Sequence, residues 1–293
     1  MADILILKGA REPSRSTAYA TWRALKRTGP DTYFLEAYTD IVFRIQNGEV
    51  SCFVSATGRD IGSFDLVYVR DFRGYEHERN AVALYLTLKN RRFINEDTGR
   101  FQHISKLTQA IALAGSSLPV IDMLYTKPEH MAELTDDADY PAVLKSITGG
   151  NGQDNILVQN PDQVAKSSIP KALLQPFIPN DHDYRIVVAE NEILLAYKRI
   201  RTGKDDHRNN GAFGAKREFL TSLPEEVSAL AIRAAGVLGR NLAGVDIIQN
   251  KKTQQYYILE VNFNYGMPDT DNEALERYYR HLAAYLHKKA TKQ

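Results

Sequence analysis

The stretch that most limits what this chain can become is Gly244-Val245-Asp246-Ile247-Ile248, a polar segment Gln249 to Gln255, then Tyr256-Tyr257-Ile258-Leu259-Glu260-Val261-Asn262. Two runs rich in β-branched and aromatic residues, separated by Asn, Lys, Thr and Gln, spell a β-hairpin. With the turn centred on Thr253, antiparallel pairing sets Asp246 opposite Glu260, and the two-residue strand period puts Asn262 on the face of Glu260. Like charges directly opposite on a sheet repel, so a fold that keeps this pair is expected to hold a cation between them. Two carboxylates and an amide form an all-oxygen donor set, which suits a hard ion such as Mg²⁺ and matches zinc or copper poorly. A solvated hairpin face with two unrelated acids is the competing reading of the same residues.

A chain of 293 residues is long enough for two or three packed domains or subdomains. Its hydrophobic content of 43% and charged content of 25% are those of a soluble globular protein. With 37 basic against 36 acidic residues the net charge is +1, so no global field recruits nucleic acid or membrane, and no groove-reading motif appears. One cysteine, Cys52, excludes an intrachain disulfide and fits a reducing compartment, which makes the cytoplasm the expected location. The first apolar run, Ile4 to Leu7, is a short strand, and no uninterrupted apolar span reaches membrane length.

The N-terminal hundred residues read as a small α/β domain. A strand at Ile4–Leu7 leads through a Ser/Arg loop into an amphipathic helix over Thr17–Arg27. Strands at Tyr33–Ala37 and Ile41–Ile45 follow, then a tight Asn47-Gly48 turn into Val50–Val54. Ser63 to Arg70 is a strand ending in charge, and a helix over about 76–89 precedes a short strand at Arg92–Asn95. Further on, Ser105 to Ala114 is a helix carrying Lys106, Leu118–Ile121 starts a strand, and an acidic loop leads to the strand Tyr140–Lys145. Ser146-Ile147-Thr148-Gly149-Gly150-Asn151-Gly152-Gln153 comes next. Its three glycines would let backbone N–H groups approach a phosphate closely, although it is neither a Walker loop nor a Rossmann fingerprint; a flexible hairpin turn is the alternative.

Lys171 to Pro179 is an apolar strand running into a proline-bracketed connector. Asp183–Ala189 and Ile193–Arg199 form an antiparallel pair, followed by a polar, basic loop with Arg201, Lys204, His207, Arg208, Asn209 and Asn210. Ser222-x-x-Glu225 is expected to act as a capping box for a helix to about Gly239. A last helix is expected from Thr270-x-x-Glu273, with Leu275, Tyr278, Leu282 and Leu286 as its core stripe.

A helix-borne lysine, a strand-end lysine, a glycine loop, a connector, an Arg/Asn loop and an acid–acid–amide hairpin follow one another in an order that resembles the ATP-grasp fold. In particular it resembles the RimK-type branch, which adds amino acids to protein or small-molecule carboxylates. The likeness covers about Ser105 to Gly266. It implies an α/β (α+β) chain: a pre-ATP-grasp α/β domain over 1–102, then a two-subdomain ATP-grasp fold. The small subdomain with the glycine loop would span 103–178, and the large one with the metal site and C-terminal helix 179–293.

Residue by residue, the resemblance implies that Lys106 and Lys145, with Thr148, Gly149, Gly150 and Gly152, hold ATP phosphates. Gln175, Pro176, Phe177 and Ile178 would bind adenine, and Asp183 would lie near the ribose. It likewise implies that Arg208-Asn209-Asn210 faces the terminal phosphate, that Arg199 lies on the substrate side, and that Asp246, Glu260 and Asn262 bind Mg²⁺, with Mn²⁺ as a substitute. Pro176 stands where relatives often carry an acid, which leaves base selectivity open. Asn264-Tyr265-Gly266 replaces a small-Pro-Gly turn in the acceptor region, which leaves the acceptor open. Asp65-x-x-Tyr68-x-Arg70 loosely resembles a segment of the peptide-crosslinking graspetide ligases.

The implied activity is an ATP- and Mg²⁺-dependent ligation of a carboxylate to an amine through an acyl phosphate, releasing ADP and phosphate. Such phosphoryl transfer demands positioning and neutralisation of spreading negative charge more than a covalent nucleophile. The amine could belong to an amino acid, a peptide or a protein tail, and homo-oligomerisation stays open. Two other readings are kept: a small-molecule kinase on the same frame, and a non-catalytic ATP-binding module.

Overall fold

The computed structural model describes residues 1–9, 16–70, 74–96, 105–147, 155–169, 171–202, 215–268 and 273–292. They form two compact units. The first comprises Met1–His103, Gly239–Ala243 and Asn262–Gln293, and the second Ile104–Leu238 and Gly244–Val261.

In the first unit, strand β1 (Asp3–Lys8) is followed by helix α1 (Thr17–Thr28), strands β2 (Thr32–Ala37), β3 (Ile41–Gln46), β4 (Glu49–Val54) and β5 (Leu66–Val69), and helix α2 (Glu76–Leu88). The parallel sheet runs β2-β1-β5. Its central strand is covered on both faces, which is why Ile4-Leu5-Ile6-Leu7 reads as an unbroken apolar run in place of an alternation. Leu5, Leu7, Val67 and Val69 pack with Val82, Ala83, Tyr85 and Leu86 of α2 in one core. Ser16 caps α1 by accepting from the Tyr19 N–H, satisfying a donor the first turn leaves open. Strands β3 and β4 pair as a separate hairpin, with Asn47 at φ 52° and Gly48 at φ 80°. Two successive left-handed residues are what a two-residue turn between twisted strands requires, so the Asn-Gly reading holds for a physical reason.

The expected strand at Arg92–Asn95 does not form. A single parallel bridge joins Phe93 to Val67, and the chain then turns at Asn95, whose φ is 61°. Asn95 acts there as a piece of backbone: its Nδ2 donates to the Leu242 carbonyl at 3.0 Å, its Oδ1 accepts from the Leu242 N–H at 3.1 Å, and its own N–H donates to Asn241 Oδ1 at 2.8 Å. These bonds replace the ladder that a strand would have supplied.

The second unit begins with α3 (Lys106–Gly115), capped by Ser105, and continues through β6 (Leu124–Tyr125), α4 (Pro128–Glu133), β7 (Ala142–Ser146), β8 (Asn155–Val158), α5 (Pro161–Ala165) and β9 (Ala172–Pro176). Strands β6-β9-β7-β8 make an antiparallel sheet whose core contains Met131, Leu144, Val164 and Leu174. The expected strand start at Leu118–Ile121 is reduced to one bridge, Val120 to Ile258. Then come β10 (His182–Ala189), β11 (Glu192–Ile200), β12 (Lys216–Phe219), α6 (Glu225–Val237), β13 (Leu242–Gln249) and β14 (Tyr256–Asn262), with the second sheet ordered β12-β11-β10-β13-β14. The opening hairpin of the sequence is therefore the β13–β14 edge of this sheet.

The Ser222 capping box is not made. Pro224 occupies the N-cap of α6, no side chain caps it, and the helix stops at Val237, two residues before Gly239 adopts φ 64°. Proline sets a φ suited to the entry, which leaves no turn for the serine to close. Thr270 lies outside the described residues, and the last helix, α7 (Glu273–Thr291), buries Leu275, Tyr278, Leu282 and Leu286 as its spacing requires. Among the described residues no helix is long and apolar enough to cross a membrane.

Asn95→Ala removes both side-chain hydrogen bonds to the Leu242 backbone and leaves a residue without a polar side chain at positive φ. Urea denaturation is expected to show a loss of about 2–4 kcal/mol from the unmade buried bonds and the left-handed backbone.

Candidate active site

Strand β10 is buried along Asp183–Ala189, yet its first turns carry charge. Asp183 and Arg185 lie two residues apart and so point to the same face, and Asp183 pairs in register with Arg199 of β11. On the other side of β10 in the sheet is β13, which carries Asp246. Sheet order and register thus force two carboxylates and two guanidinium groups together in the interior.

The four bond to one another. Arg199 Nε donates to Asp183 Oδ1 at 2.6 Å while its Nη2 reaches Asp246 Oδ2 at 3.1 Å. Arg185 forks onto Asp246, Nε toward Oδ1 and Nη2 toward Oδ2, the latter at 2.9 Å. Burial by itself would push the Asp246 carboxyl up, but Arg185 and Arg199 overcome it and hold the group below its ordinary range. Asp183 goes the other way: burial outweighs Arg199 and raises it. Both guanidinium groups are held above their ordinary values by the carboxylates, against the effect of burial. Planar forks matching a carboxylate edge are the geometry in which a buried pair offsets its own desolvation.

A second group of residues lines a small cleft in the same unit: Lys106 and Gln109 from α3, Lys145 from β7, Gln175 from β9, and Ile258 and Leu259 from β14, with apolar neighbours. Lys145 is half-buried in the strand pattern, and its ammonium is pulled down to about 8. Burial is the main cause, with Lys106 adding to it and Glu260 opposing it. Gln109 ties the helix to the strand: its Oε1 accepts from the Val261 N–H at 2.9 Å, between Glu260 and Asn262 in the chain. Glu260 and Asn262 are both half-buried and lie two apart on β14.

Of the expected site residues, the structure brings Asp183, Arg199 and Asp246 into one ion network and Lys106, Lys145 and Gln175 into one cleft. Pro176 is exposed and Phe177 and Ile178 are half-buried in the connector, where the Phe177 N–H donates to the Pro141 carbonyl at 2.9 Å. Thr148, Gly149, Gly150, Gly152, Arg208, Asn209 and Asn210 lie outside the described residues. Sequence reasoning did not single out Arg185 or Gln109. Arg185 was findable, since Asp183-x-Arg185 puts both charges on one face of a strand otherwise apolar; Gln109 was not, because its acceptor role depends on a strand 152 positions away.

The expected cation between Asp246 and Glu260 is answered in part by protein groups, for both Asp246 oxygens accept from guanidinium nitrogens. The donor set still fits a hard divalent ion, since Asp246 Oδ1 accepts one hydrogen bond and keeps a second lone pair, and Glu260 and Asn262 offer oxygen atoms. Among the described residues there is no group of three or more His, Cys, Asp or Glu side chains placed to hold a metal; the expected set is two carboxylates and an amide.

Comparison with known proteins gives these geometries a family. Residues 105–278 match the model of the RimK-like ATP-grasp domain. A "Probable alpha-L-glutamate ligase" of Vibrio atlanticus (strain LGP32) is 28% identical over 222 residues, covering 72% of each chain. "Probable alpha-L-glutamate ligase 2" of Shewanella sp. (strain W3-18-1) is 26% identical over 271 residues, covering 88% of this chain and 86% of the relative. Among solved structures, the ATP-grasp ligase PsnB complexed with precursor peptide PsnA2 and AMPPNP superposes with a TM-score of 0.73 at 18% identity, covering 99% of this chain and 98% of that one. A Chryseobacterium gregarium RiPP-associated ATP-grasp ligase, in complex with ADP and a leader and core peptide, gives 0.71 at 14% identity, with 97% of each chain covered.

Arg199→Leu would remove the guanidinium that bonds Asp183 and one of the two that bond Asp246, both carboxylates being buried. The expected cost is about 3–5 kcal/mol, the range for breaking one side of a buried ion pair. Arg199→Lys, which keeps the charge but cannot bridge both carboxylates, is expected to fall between that variant and the wild type in thermal unfolding.

Proposed function

Because the chain belongs to the RimK-like ATP-grasp family, we propose that it is an ATP-dependent ligase that joins a carboxylate to an amine, releasing ADP and phosphate. The observation that carries the reading is the placing of Lys106 and Lys145 on one cleft with buried Gln175, inside the segment that matches the family. Two ammonium groups on one cleft suit a polyphosphate, and the relatives' names and the nucleotide complexes of the structural neighbours support the same assignment.

In the proposed reaction the substrate carboxylate oxygen attacks the γ-phosphorus of ATP, the bond to the bridging oxygen breaks, and ADP leaves. The resulting acyl phosphate is attacked at carbon by the amine, which loses a proton as inorganic phosphate departs. Lys106 and Lys145 hold the phosphates and neutralise charge as it spreads over the transferring group. Arg199, with Arg208 and Asn210, would orient the carboxylate and the terminal phosphate, while Gln175 to Ile178 and Asp183 hold the nucleoside. Thr148, Gly149, Gly150 and Gly152 would close over the phosphates with backbone N–H groups. Asp246, Glu260 and Asn262 would hold Mg²⁺, or Mn²⁺ in its place, to supply charge neutralisation for the phosphates. The amine belongs to an amino acid, a peptide or a protein tail: glutamate is named in the curated relatives and precursor peptides in the solved complexes.

The direct test is ADP release measured with paired panels of carboxylates and amines, glutamate and short peptides included. Release that needs both members of a pair is expected. A stable phosphorylated product without any amine would instead assign kinase activity, and bound ATP with no stimulated release by any pair would remove the ligase reading. Glu260→Gln is expected to abolish release with circular dichroism unchanged.

Lys145 adds a pH signature. Its folded value near 8 means that the free protein loses this positive charge as pH rises through that point, while a bound polyphosphate favours the protonated form. Nucleotide affinity is therefore expected to be steady near pH 7 and to weaken as pH rises through about 8, and Lys145→Gln should flatten the calorimetric profile.

A further inference from the structure

Asp246 is surrounded in a way that a waiting metal ligand would not need. Both of its oxygens accept from guanidinium nitrogens, Arg185 through a two-point fork and Arg199 through a single contact, and the side chain is almost completely shielded from water. Glu260, the other carboxylate of the proposed metal set, lies within the electrostatic reach of Lys145, which in turn feels Lys106. Asp183, Asp246 and Glu260 are thus outnumbered by Arg185, Arg199, Lys145 and Lys106. A divalent cation approaching the nucleotide-free protein meets a site without net negative charge, and it must share each Asp246 oxygen with an arginine. Triphosphate reverses that balance by bringing several negative charges to the lysine side.

We propose that Arg185 is a positioning and charge-compensating residue that keeps Asp246 from taking a divalent cation until nucleotide is present, so that metal enters with the phosphates and not before them. The inference rests on the reading of Asp246 as a metal-facing carboxylate. This role requires no contact of Arg185 with metal or nucleotide. It fixes the orientation of the Asp246 carboxylate through the fork and sets the charge that the metal encounters. Arg199 cannot do this by itself, since it divides its donors between Asp183 and Asp246.

The test is Mn²⁺ binding to the full chain without nucleotide, read by electron paramagnetic resonance of the free ion, for wild type, Arg185→Gln, Arg185→Lys and Asp246→Asn. Wild type is expected to bind Mn²⁺ weakly. Arg185→Gln should bind it more tightly by on the order of tenfold, a coupling of ordinary size between two sites. Adding Asp246→Asn to that variant should abolish the gain. A purely structural arginine would not produce higher metal affinity on removal, so an Arg185→Gln protein that folds and shows no gain overturns the proposal. Should Arg185→Gln fail to fold, Arg185→Lys carries the test, because a single ammonium releases one carboxylate oxygen; an affinity equal to wild type would then overturn it. Tight Mn²⁺ binding by nucleotide-free wild type that is lost in Asp246→Asn would sink the compensation idea while supporting the metal assignment. A gain that survives in the double variant would instead sink the metal assignment of Asp246.

Discussion

The buried network of Asp183, Arg185, Arg199 and Asp246 is the interaction on which the candidate site depends. Each member would be untenable alone: taking a charge of this size out of water costs several kcal/mol even after relaxation. Three adjacent strands must therefore hold their register for the interior to stay neutral, because a slip of one residue would send Asp183 and Arg185 to the opposite face. Charge neutrality and strand register are in this sense a single constraint. The apolar remainder of β10, from Ile186 to Ala189, anchors the strand so that its polar end can be held in place.

That constraint explains the division of work within the second unit. The lysine cleft and the ion network are separate clusters built from different elements, one from α3, β7, β9 and β14, the other from β10, β11 and β13. The β13–β14 hairpin contributes to both, Asp246 to the network and Ile258 and Leu259 to the cleft wall. Gln109 secures the outer strand to the lysine-bearing helix through one buried hydrogen bond.

The first unit shows a different use of buried charge. Arg70 is wholly buried, its Nη2 donates to the Tyr265 carbonyl at 3.2 Å, and its guanidinium lies over the Tyr265 and Tyr68 rings. The Tyr265 hydroxyl meets that of Tyr278 at 3.0 Å, and burial raises both phenols far above their ordinary values. Tyr265, which the sequence marked as unusual and placed in the acceptor region, is in this way committed to the core of the first unit. Asp65-x-x-Tyr68-x-Arg70 likewise ends in packing, Asp65 accepting from the Asp3 N–H and the other two joining the tyrosine cluster.

By itself the sequence determined the elements whose signals are local. Alternation, helical spacing and Asn-Gly chemistry located β1 to β4, α1, α2, α3, α7 and the β13–β14 hairpin, because each is specified by residues a few positions apart. The order of lysines, connector and acids along the chain was enough to indicate an ATP-grasp fold. It misjudged Arg92–Asn95 and Ser222, where a side chain acting as backbone and a proline at the helix entry decided the outcome. Only the tertiary structure decided what faces Asp246. Hairpin pairing concerns the two strands of the hairpin, whereas the groups that neutralise Asp246 come from β10 and β11, and a sheet's neighbour order is set by long-range packing that no local pattern encodes.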